Sequence, residues 1–376
     1  MQRIAVIMLQ SLAVIALGLL PSIHAISLTL PNQLINNPVK AESEIRAGDF
    51  DGSKLWPGAN ETSYDWWYFD AVSATTNESV TVVFYNTGPN GFPFAYVGGG
   101  PFSVGISGSF SNGSLFSLTS PVTGDVVIKS DESGISGEWS GSGFSFYGTS
   151  LDGPSPTYVL KVDAPAIGCY GTVTLRSRAP PHLSCGLDHS GAREELFPNV
   201  FWANAQPDAD AVVDLNIQGT CVQFTDGIGY HDKNWGDAPF VSVTSSWYWG
   251  HARLGPYSVV WFDAIDTAGK EYFSGYVSQN GELIQGSCTK NAVVVRPWGK
   301  NSEYPPKAKT GIMEGLDIKF DLGKGMEMVV NVTTGLVLID TDNYVRTEGT
   351  AKAIITGSGR NRAYEGRTLF EEFKFN

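Results

Sequence analysis

An internal repeat is the feature that most constrains the fold. Residues 65–71 (DWWYFDA) return as residues 246–252 (SWYWGHA). The run that follows the first copy, residues 81–85 (TVVFY), corresponds to residues 258–262 (SVVWF), which a shorter loop reaches. Two matching segments in the same order indicate that a whole structural unit was duplicated.

The periodicity of the chain predicts that this unit is made of β-strands. Alternating or β-branched runs recur throughout, bounded by Gly, Asn, Asp and Ser, and few stretches have apolar residues at helical spacing. The chain has 43 Gly and 12% aromatic residues but only 17% charged residues. This composition suits short strands, tight turns and aromatic-lined cavities. We therefore predict an all-β fold, either a sandwich or a barrel.

The length of the chain predicts two domains. Its 376 residues exceed what one ordinary hydrophobic core organises. The repeat places the boundary just before or within residues 226–232, so we assign residues 26–228 to the first domain and residues 229–376 to the second.

Residues 1–25 have the pattern of a secretory signal peptide. Arg3 precedes an apolar run over residues 4–20, and Pro21 and Ala25 follow it, which predicts cleavage after Ala25. Gln10 and Ser11 interrupt the run, and no later segment resembles a spanning helix. We expect a secreted protein, or one in the lumen of a secretory or vacuolar compartment, without stable membrane insertion.

Two further patterns in the sequence agree with a compartment in which disulfides form and asparagines are glycosylated. The four Asn-x-Ser/Thr sites are at Asn60, Asn77, Asn112 and Asn331, and each predicts an exposed glycan acceptor. The four cysteines are Cys169, Cys185, Cys221 and Cys288. They allow up to two disulfides in three possible connectivities, and no CxxC pair suggests zinc binding or redox activity.

Charge and motif content exclude several classes of function. The net charge of −13 argues against nucleic acid or anionic membranes as partners. Residues 98–100 (GGG) precede no predicted helix, so they are not a phosphate loop. No serine-hydrolase elbow is present, and the few histidines do not suggest a metal site.

The two copies of the repeat each present a mixed aromatic and polar face. Alternate strand residues share a face, so Trp66, Tyr68 and Asp70 point one way. In the second copy the matching face carries Trp247, Trp249, His251 and Arg253. Apolar walls with a few polar groups predict a ligand cavity, although the aromatic residues are equally compatible with an ordinary core.

Five motifs spread over the chain resemble one family, the fungal lipocalin-like Diels-Alderases, which are related to bacterial hydroxyneurosporene synthases and AttH-type proteins. The motifs are residues 65–70 (DWWYFD), 229–237 (GYHDKNWGD), 246–250 (SWYWG), 344–346 (YVR) with Gly349, and 364–366 (YEG). The resemblance implies two tandem lipocalin-like domains, each a β-barrel or sandwich, with a ligand pocket at or near their interface. It also implies no metal and no organic cofactor.

The same resemblance implies a stereoselective [4+2] cycloaddition in fungal secondary metabolism. Most family members close a decalin intramolecularly on a polyketide-tetramate. A smaller, secreted group joins a tropolone-derived o-quinone methide to a humulene-type sesquiterpene in a hetero-Diels-Alder reaction. We favour the smaller group because of the signal peptide, glycan sites and cysteines. A terpenoid hydratase or isomerase and a non-catalytic carrier of lipophilic metabolites remain alternatives.

Candidate residues follow from the motifs and from the chemistry. Hydrogen bonds from His251, Arg253 or Tyr68 to a carbonyl oxygen would activate the acceptor component. The candidates for a general acid that expels a hydroxyl are His231, Asp232 and His251. The set of possible catalytic residues is His251, Arg253, Tyr68, Asp70, His231 and Asp232. The set of possible substrate-binding residues is Trp66, Trp67, Tyr230, Trp235, Trp247, Trp249 and Trp261.

Several of these residues also have a purely structural interpretation. His231 could bond to the backbone and Asp232 could cap a turn. Arg253 could lie on the surface, and Asp70 could pair with a neighbour on an adjacent strand. The expected partners are small hydrophobic polyketide or terpenoid substrates, and the oligomeric state is left open.

Overall fold

The computed structural model describes residues 26–46, 49–187, 189, 191–357 and 361–375. Nearly all regular structure in these residues is β, which confirms the predicted fold class. The segment assigned as a signal peptide, residues 1–25, lies outside the described residues. No helix in the described part of the chain has the length and apolarity needed to cross a membrane.

A first antiparallel sheet holds fifteen strands. They are β1 (Ile26–Leu30), β4 (Tyr64–Val72), β5 (Ser79–Thr87), β6 (Phe102–Ser109), β7 (Leu115–Pro121), β8 (Val126–Asp131), β9 (Gly134–Trp139), β10 (Phe144–Thr149), β11 (Thr157–Ala164), β12 (Cys169–Ser177), β13 (His182–Leu183), β14 (Gly186–Leu187), β15 (Glu195–Phe197), β16 (Val200–Ile217) and β17 (Thr220–Gly236). Its main order is β1-β8-β9-β10-β11-β12-β16-β17-β4-β5-β6-β7, and β13 and β15 pair with β16. The small hairpin of β2 (Lys40–Ala41) and β3 (Leu55–Trp56) precedes β4.

A second antiparallel sheet holds nine strands in the order β21-β20-β19-β18-β26-β25-β24-β23-β22. They are β18 (Thr244–Leu254), β19 (Tyr257–Asp266), β20 (Glu271–Gln279), β21 (Glu282–Ser287), β22 (Val293–Trp298), β23 (Gly315–Gly323), β24 (Met326–Asp340), β25 (Tyr344–Thr356) and β26 (Arg362–Lys374). The short helix α1 (Phe240–Val243) lies between the two sheets in sequence, and a 3-10 turn covers Pro165–Ile167.

The first sheet curls around its own core. Trp67 and Phe69 on β4 contact Trp139 on β9 and Tyr158 on β11, although many strands separate these partners in the sheet order. The opposite face of β4 carries Trp66 and Tyr68 into a separate cluster that includes residues of the second sheet. Strand β4 is therefore buried on both faces, in agreement with its four consecutive aromatic residues, 66–69.

The two copies of the repeat occupy corresponding positions. Strand β4 lies between β17 and β5, and β18 lies between β26 and β19. Gly250, which matches Phe69 of the first copy in the sequence, lies opposite Trp261 on the neighbouring strand. A Cβ atom on Gly250 would lie 2.4 Å from the Trp261 ring. The small residue therefore makes room for the large one, as expected for diverged copies that keep their packing density.

The predicted boundary between residues 228 and 229 falls inside β17. That strand pairs with β4 as far as Gly236, and the second sheet begins at Thr244. The change from one sheet to the other therefore comes after the GYHDKNWGD motif, which belongs to the first sheet. The division into two domains stays a prediction.

One disulfide ties the two sheets together. Cys185, in the turn between β13 and β14, bonds to Cys288, which follows β21. Cys169 is buried and Cys221 is exposed, and both are free thiols. Of the cysteine pairs that the sequence allowed, the structure contains this one.

Removing this disulfide is expected to lower the free energy of unfolding by about 2–4 kcal/mol, because it closes a long loop. The two cysteines are 103 residues apart in sequence. Urea denaturation of the Cys185→Ser/Cys288→Ser double variant measures the effect. The control is Cys221→Ser, which removes an exposed free thiol and should leave the midpoint unchanged. Equal midpoints for all three proteins would contradict the prediction.

Candidate functional site

A cavity of about 350 Å³ lies between the outer face of β4–β7 and the second sheet. Its lining comes from both copies of the repeat and from the loop after β5. The aromatic members of the lining are Trp66, Tyr68, Tyr85, Phe92, Phe94, Trp247, Trp249, Phe262, Tyr344 and Phe373. Ionisable side chains reach it from Asp232, Arg346 and Glu371. An apolar cleft with a few convergent polar groups has the character of a small-molecule site.

The repeated aromatic segments form facing walls of this cavity. Trp66 and Tyr68 alternate along β4, and Trp247 and Trp249 alternate along β18, so each pair projects from one face of its strand. The rings of Tyr68 and Trp249 meet edge to face with centroids 5.3 Å apart. Such contacts between rings hold the walls rigid at little cost in side-chain entropy.

Asp232 is the acidic group on the wall of the cavity. It lies beside Tyr68 on neighbouring strands and is 4% exposed. Trp202 Nε1 and the Tyr230 hydroxyl both donate to its Oδ2 atom, each at 2.7 Å. Burial raises the pKa of Asp232 to about 8, although these two hydrogen bonds act in the opposite direction. At neutral pH the carboxyl group is therefore protonated, and Oδ1 is left to carry the proton.

A chain of hydrogen bonds fixes Asp232 from behind. Trp249 Nε1 donates to the Tyr230 hydroxyl at 3.3 Å, and Tyr230 in turn donates to Asp232. Tyr230 is fully buried and burial raises its pKa well above the ordinary value. The tyrosine is therefore a neutral donor that orients the acid, in the way that supporting groups orient a catalytic acid.

A buried ion pair forms another part of the cavity wall. Arg346 Nε donates to Glu371 Oε1 at 2.7 Å, and both side chains are less than a tenth exposed. The Tyr344 hydroxyl donates to the same Glu371 oxygen at 2.6 Å. The Arg346 guanidinium also lies 5.2 Å from the centre of the Tyr68 ring. The charges of this group compensate each other inside the wall.

The structure places five of the sequence-predicted residues directly on the cavity: Trp66, Tyr68, Asp232, Trp247 and Trp249. Tyr230 lies just behind Asp232. The roles of these residues in binding and catalysis stay predictions, but their common location agrees with the alternation that selected them.

His251 and Asp70 lie next to the cavity without lining it. His251 Nε2 is 3.0 Å from Asp70 Oδ2, and both side chains are buried. The His251 ring stacks on Tyr230 with centroids 4.6 Å apart. Asp70 is thus paired with a residue of the other sheet rather than with a strand neighbour. This dyad supports the tyrosine that orients Asp232.

Arg253 is bound to carboxylates of the first sheet and does not line the cavity. Its guanidinium donates to Asp208 at 2.6 Å and to Asp210 at 3.0 Å, both on β16. Its side chain is 20% exposed, whereas that of Asp208 is 3% exposed. The geometry therefore favours a role in holding the two sheets together.

Replacement of Arg253 by methionine is expected to lower the free energy of unfolding by about 1–3 kcal/mol. The variant leaves Asp208 buried without its main counter-charge, and the cost is below that of a fully buried pair because Arg253 is partly solvated. Chemical denaturation measures it. A loss of turnover with unchanged stability would instead support the catalytic role that the sequence suggested.

His231 points away from the cavity because it alternates with Asp232 along β17. Its Nε2 atom is 3.1 Å from Asp51 Oδ2, and its ring stacks on Phe69 with centroids 3.8 Å apart. Asp51 and Tyr158 also line a second cavity of about 530 Å³ at the first-sheet core. His231 and Asp232, adjacent in sequence, therefore serve different environments.

Three predicted substrate-binding tryptophans lie in hydrophobic cores away from the cavity. Trp67 and Trp235 belong to the core of the first sheet, and Trp261 belongs to the core of the second. Trp67 Nε1 donates to the Asp51 carbonyl at 2.6 Å and Trp235 Nε1 to the Glu42 carbonyl at 2.7 Å. Their side chains face the opposite side of the sheet because each is the immediate neighbour, in its own strand, of a residue that lines the cavity.

The sequence interpretation missed the residues that the last two strands contribute. Tyr344 and Arg346 on β25 and Glu371 on β26 line the cavity, but only as part of a family motif did residues 344–346 attract attention. In isolation, a charged residue near a strand end resembles a solvated position. The cross-strand pairing of Arg346 with Glu371 is visible only in the structure, so the sequence alone held no signal for these residues.

The predicted glycan acceptors differ in their exposure. Asn77 and Asn112 are exposed, whereas Asn60 and Asn331 are half-buried. Within the described ranges, no group of three or more His, Cys, Asp or Glu side chains is arranged to hold a metal ion. Glycosylation of the four asparagines stays a prediction.

Comparison with known proteins agrees with this architecture. The quinolone epoxide rearrangement protein penF of Penicillium thymicola is 42% identical over 346 residues, 92% of this chain and 94% of penF. The Diels-Alderase ffsF of Aspergillus flavipes is 28% identical over 242 residues, 63% of this chain and 57% of ffsF. The crystal structure of CghA with Sch210972 has a TM-score of 0.75 at 16% identity, covering 94% of this chain and 99% of that one.

A family model gives the assignment directly. The model described as Diels-Alderase-like matches residues 24–296, which include the first sheet, the repeat in both copies and most of the cavity wall. The match confirms the resemblance inferred from the motifs. This chain belongs to the Diels-Alderase-like family.

Proposed function

We propose that the protein catalyses the acid-promoted rearrangement of an epoxide on an aromatic, quinolone-type substrate, with Asp232 as the proton donor. The observation that carries the proposal is a buried carboxyl group on the wall of an aromatic cavity, and burial raises the pKa of this group to about 8. The similarity to a quinolone epoxide rearrangement protein over nearly the whole chain supports the substrate class.

The site suits each step of such a reaction. Proton transfer from Asp232 to the epoxide oxygen assists cleavage of one C–O bond and leaves positive charge on carbon. A neighbouring group then migrates with its bonding electrons to that carbon. The migration leaves a protonated carbonyl group. Its O–H bond then breaks, the electron pair stays on the carbonyl oxygen, and the proton returns to the Asp232 carboxylate. The product is an isomer of the substrate, so no other reactant is consumed.

The aromatic walls would stabilise the cationic intermediate and exclude water from it. The faces of Trp66, Trp249 and Tyr68 attract positive charge, an effect that is strongest in a desolvated site. Exclusion of water protects the cation from capture as a diol. These two effects distinguish a rearrangement site from that of a hydratase.

A second candidate is the hetero-Diels-Alder reaction between a tropolone-derived o-quinone methide and a humulene-type sesquiterpene. The observation that favours it is a rigid cavity formed jointly by two sheets, which can hold two partners in a near-attack pose. Such positioning contributes on the order of 7–11 kcal/mol to a bimolecular reaction. Asp232 would then expel the hydroxyl of a hydroxymethyl tropolone. An intramolecular decalin closure uses the same positioning.

One assay separates these possibilities. The purified protein is incubated with an arylquinolone epoxide and, separately, with a hydroxymethyl tropolone plus humulene, and products are followed by mass spectrometry against buffer. We expect faster formation of an isomer with the mass of the epoxide. A product 18 Da heavier would identify hydrolysis of the epoxide to a diol, a tropolone adduct would identify the cycloaddition, and products identical to buffer would leave a carrier.

A further inference from the structure

Two hydrogen-bond donors on the cavity wall lack a partner. The Tyr68 hydroxyl and Trp247 Nε1 are shielded from solvent, and in the part of the chain that the structure describes neither makes a hydrogen bond. The residues are 5% and 3% exposed, and both line the cavity between the sheets. Buried donors in native proteins are nearly always paired, so an unpaired one calls for an explanation.

Two other aromatic donors around the cavity are committed to protein acceptors. Trp249 Nε1 donates to Tyr230, and the Tyr344 hydroxyl donates to Glu371. A different buried donor without a partner, Trp261 Nε1, lies in the packed core of the second sheet. Tyr68 and Trp247 differ from Trp261 because both line the cavity between the sheets.

The two donors come from opposite walls. Tyr68 is on β4 of the first sheet, and Trp247 is on β18 of the second. Tyr68 is also the cross-strand neighbour of Asp232. A ligand oxygen bonded to Tyr68 would therefore lie close to the acid, and a contact with Trp247 would set the orientation of the rest of the molecule.

The charges around the cavity favour a neutral ligand. Arg346 and Glu371 compensate each other at 2.7 Å, and Asp232 is uncharged below about pH 8. A charged ligand would lose its hydration without gaining a counter-charge. An uncharged aromatic molecule with acceptor oxygens satisfies both the walls and the free donors.

We propose that Tyr68 and Trp247 form a two-point receptor for acceptor oxygens, carbonyl or ether, of an uncharged aromatic substrate. The receptor determines which part of the substrate lies against Asp232. This inference rests on the proposed function for the identity of the reaction, but it concerns binding and is tested without turnover.

The test measures the affinities of two probes by isothermal titration calorimetry. The first, 3-methoxyquinolin-2-one, has a carbonyl and an ether oxygen. The second, 2-methylnaphthalene, has a similar shape and no oxygen. We expect Tyr68→Phe and Trp247→Phe each to reduce the ratio of the two affinities about tenfold, the loss of one hydrogen bond. Trp298→Phe is the control, because Trp298 lies outside the cavity lining and its N–H is committed to the Val332 carbonyl; this variant should leave the ratio unchanged.

The stability of the free protein gives an independent readout. Tyr68→Phe removes no hydrogen bond that the folded protein makes, so its Tm should equal or exceed that of the wild type. Tyr344→Phe breaks the bond to Glu371 and should lower the Tm. A lower Tm for Tyr68→Phe, or an unchanged affinity ratio in either receptor variant, would overturn the proposal. If the ratios change as expected but no epoxide is converted, the receptor stands and the proposed reaction fails.

Discussion

Replacement of Asp232 by asparagine is expected to lower kcat for epoxide rearrangement by about 10²–10⁴-fold, the usual contribution of a positioned general acid. The amide keeps the shape of the side chain and can still accept hydrogen bonds from Trp202 and Tyr230, but it has no proton to transfer. Steady-state kinetics with the epoxide, together with circular dichroism to verify folding, measure the effect.

The matched control is Asp263→Asn. Asp263 is another buried aspartate, whose pKa burial raises to about 7, and it is bonded to Tyr304 and Arg296 away from the cavity. This variant should retain the wild-type kcat. If the two variants lost activity equally, the effect would come from general destabilisation, and Asp232 would not be the acid.

The pH dependence has a definite sign. Since catalysis requires protonated Asp232, the rate should fall as pH rises through about 8. The pKa of Asp232 is about 8 in the folded protein against 3.8 for an ordinary aspartate. Between these two pH values the folded state therefore binds more protons than the unfolded state. This group therefore contributes stability below about pH 4 that is lost progressively up to pH 8. At pH 9, Asp232→Asn should have a higher Tm than the wild type, and thermal scans at pH 5 and 9 test this.

The second large effect is expected from Arg346→Met, which should reduce the free energy of unfolding by about 3–5 kcal/mol. The substitution leaves the Glu371 carboxylate buried without its counter-charge, since Glu371 is 6% exposed. The double variant Arg346→Met/Glu371→Leu should recover most of this loss because neither charge is then buried. Urea denaturation of both proteins gives the comparison.

A control lies on the same strand. Lys352 on β25 pairs with Glu365, and the two side chains are 65% and 71% exposed. Lys352→Met should change the free energy of unfolding by no more than about 0.5 kcal/mol, as is usual for solvated pairs. If the two variants lost similar amounts of unfolding free energy, the buried pair of Arg346 and Glu371 would contribute no more to stability than a solvated pair.

Much of the cavity wall could be predicted from the alternation of residues within the repeat. The period of two in a strand assigns Trp66 and Tyr68 to one face, and Trp247 and Trp249 to the matching face of the second copy. The alternation of side chains along a strand is a local property of the backbone, so the sequence alone reveals it. The alternation could not exclude Trp67, since its face is equally apolar and packs into the core of the first sheet.

The chemical roles of the polar residues needed the tertiary structure. His231 and Asp232 are adjacent in sequence and are equally plausible acids, but only Asp232 faces the cavity between the sheets. His251 and Arg253 share a face with the cavity tryptophans, yet carboxylates of the first sheet bind both. A partner more than forty residues away in sequence leaves no periodic signal, so no pattern could show that these groups were already occupied.

The sequence by itself determined the class of the fold, the duplicated β-unit, the family and the aromatic faces, because strand period and motif spacing are local properties. Only the tertiary structure decided that Arg346 and Glu371 complete the cavity, that one disulfide joins the sheets, and that Asp232 keeps its proton. The pKa of a carboxyl group depends on how completely other strands exclude water from it, and that exclusion exists only after the two sheets have packed together.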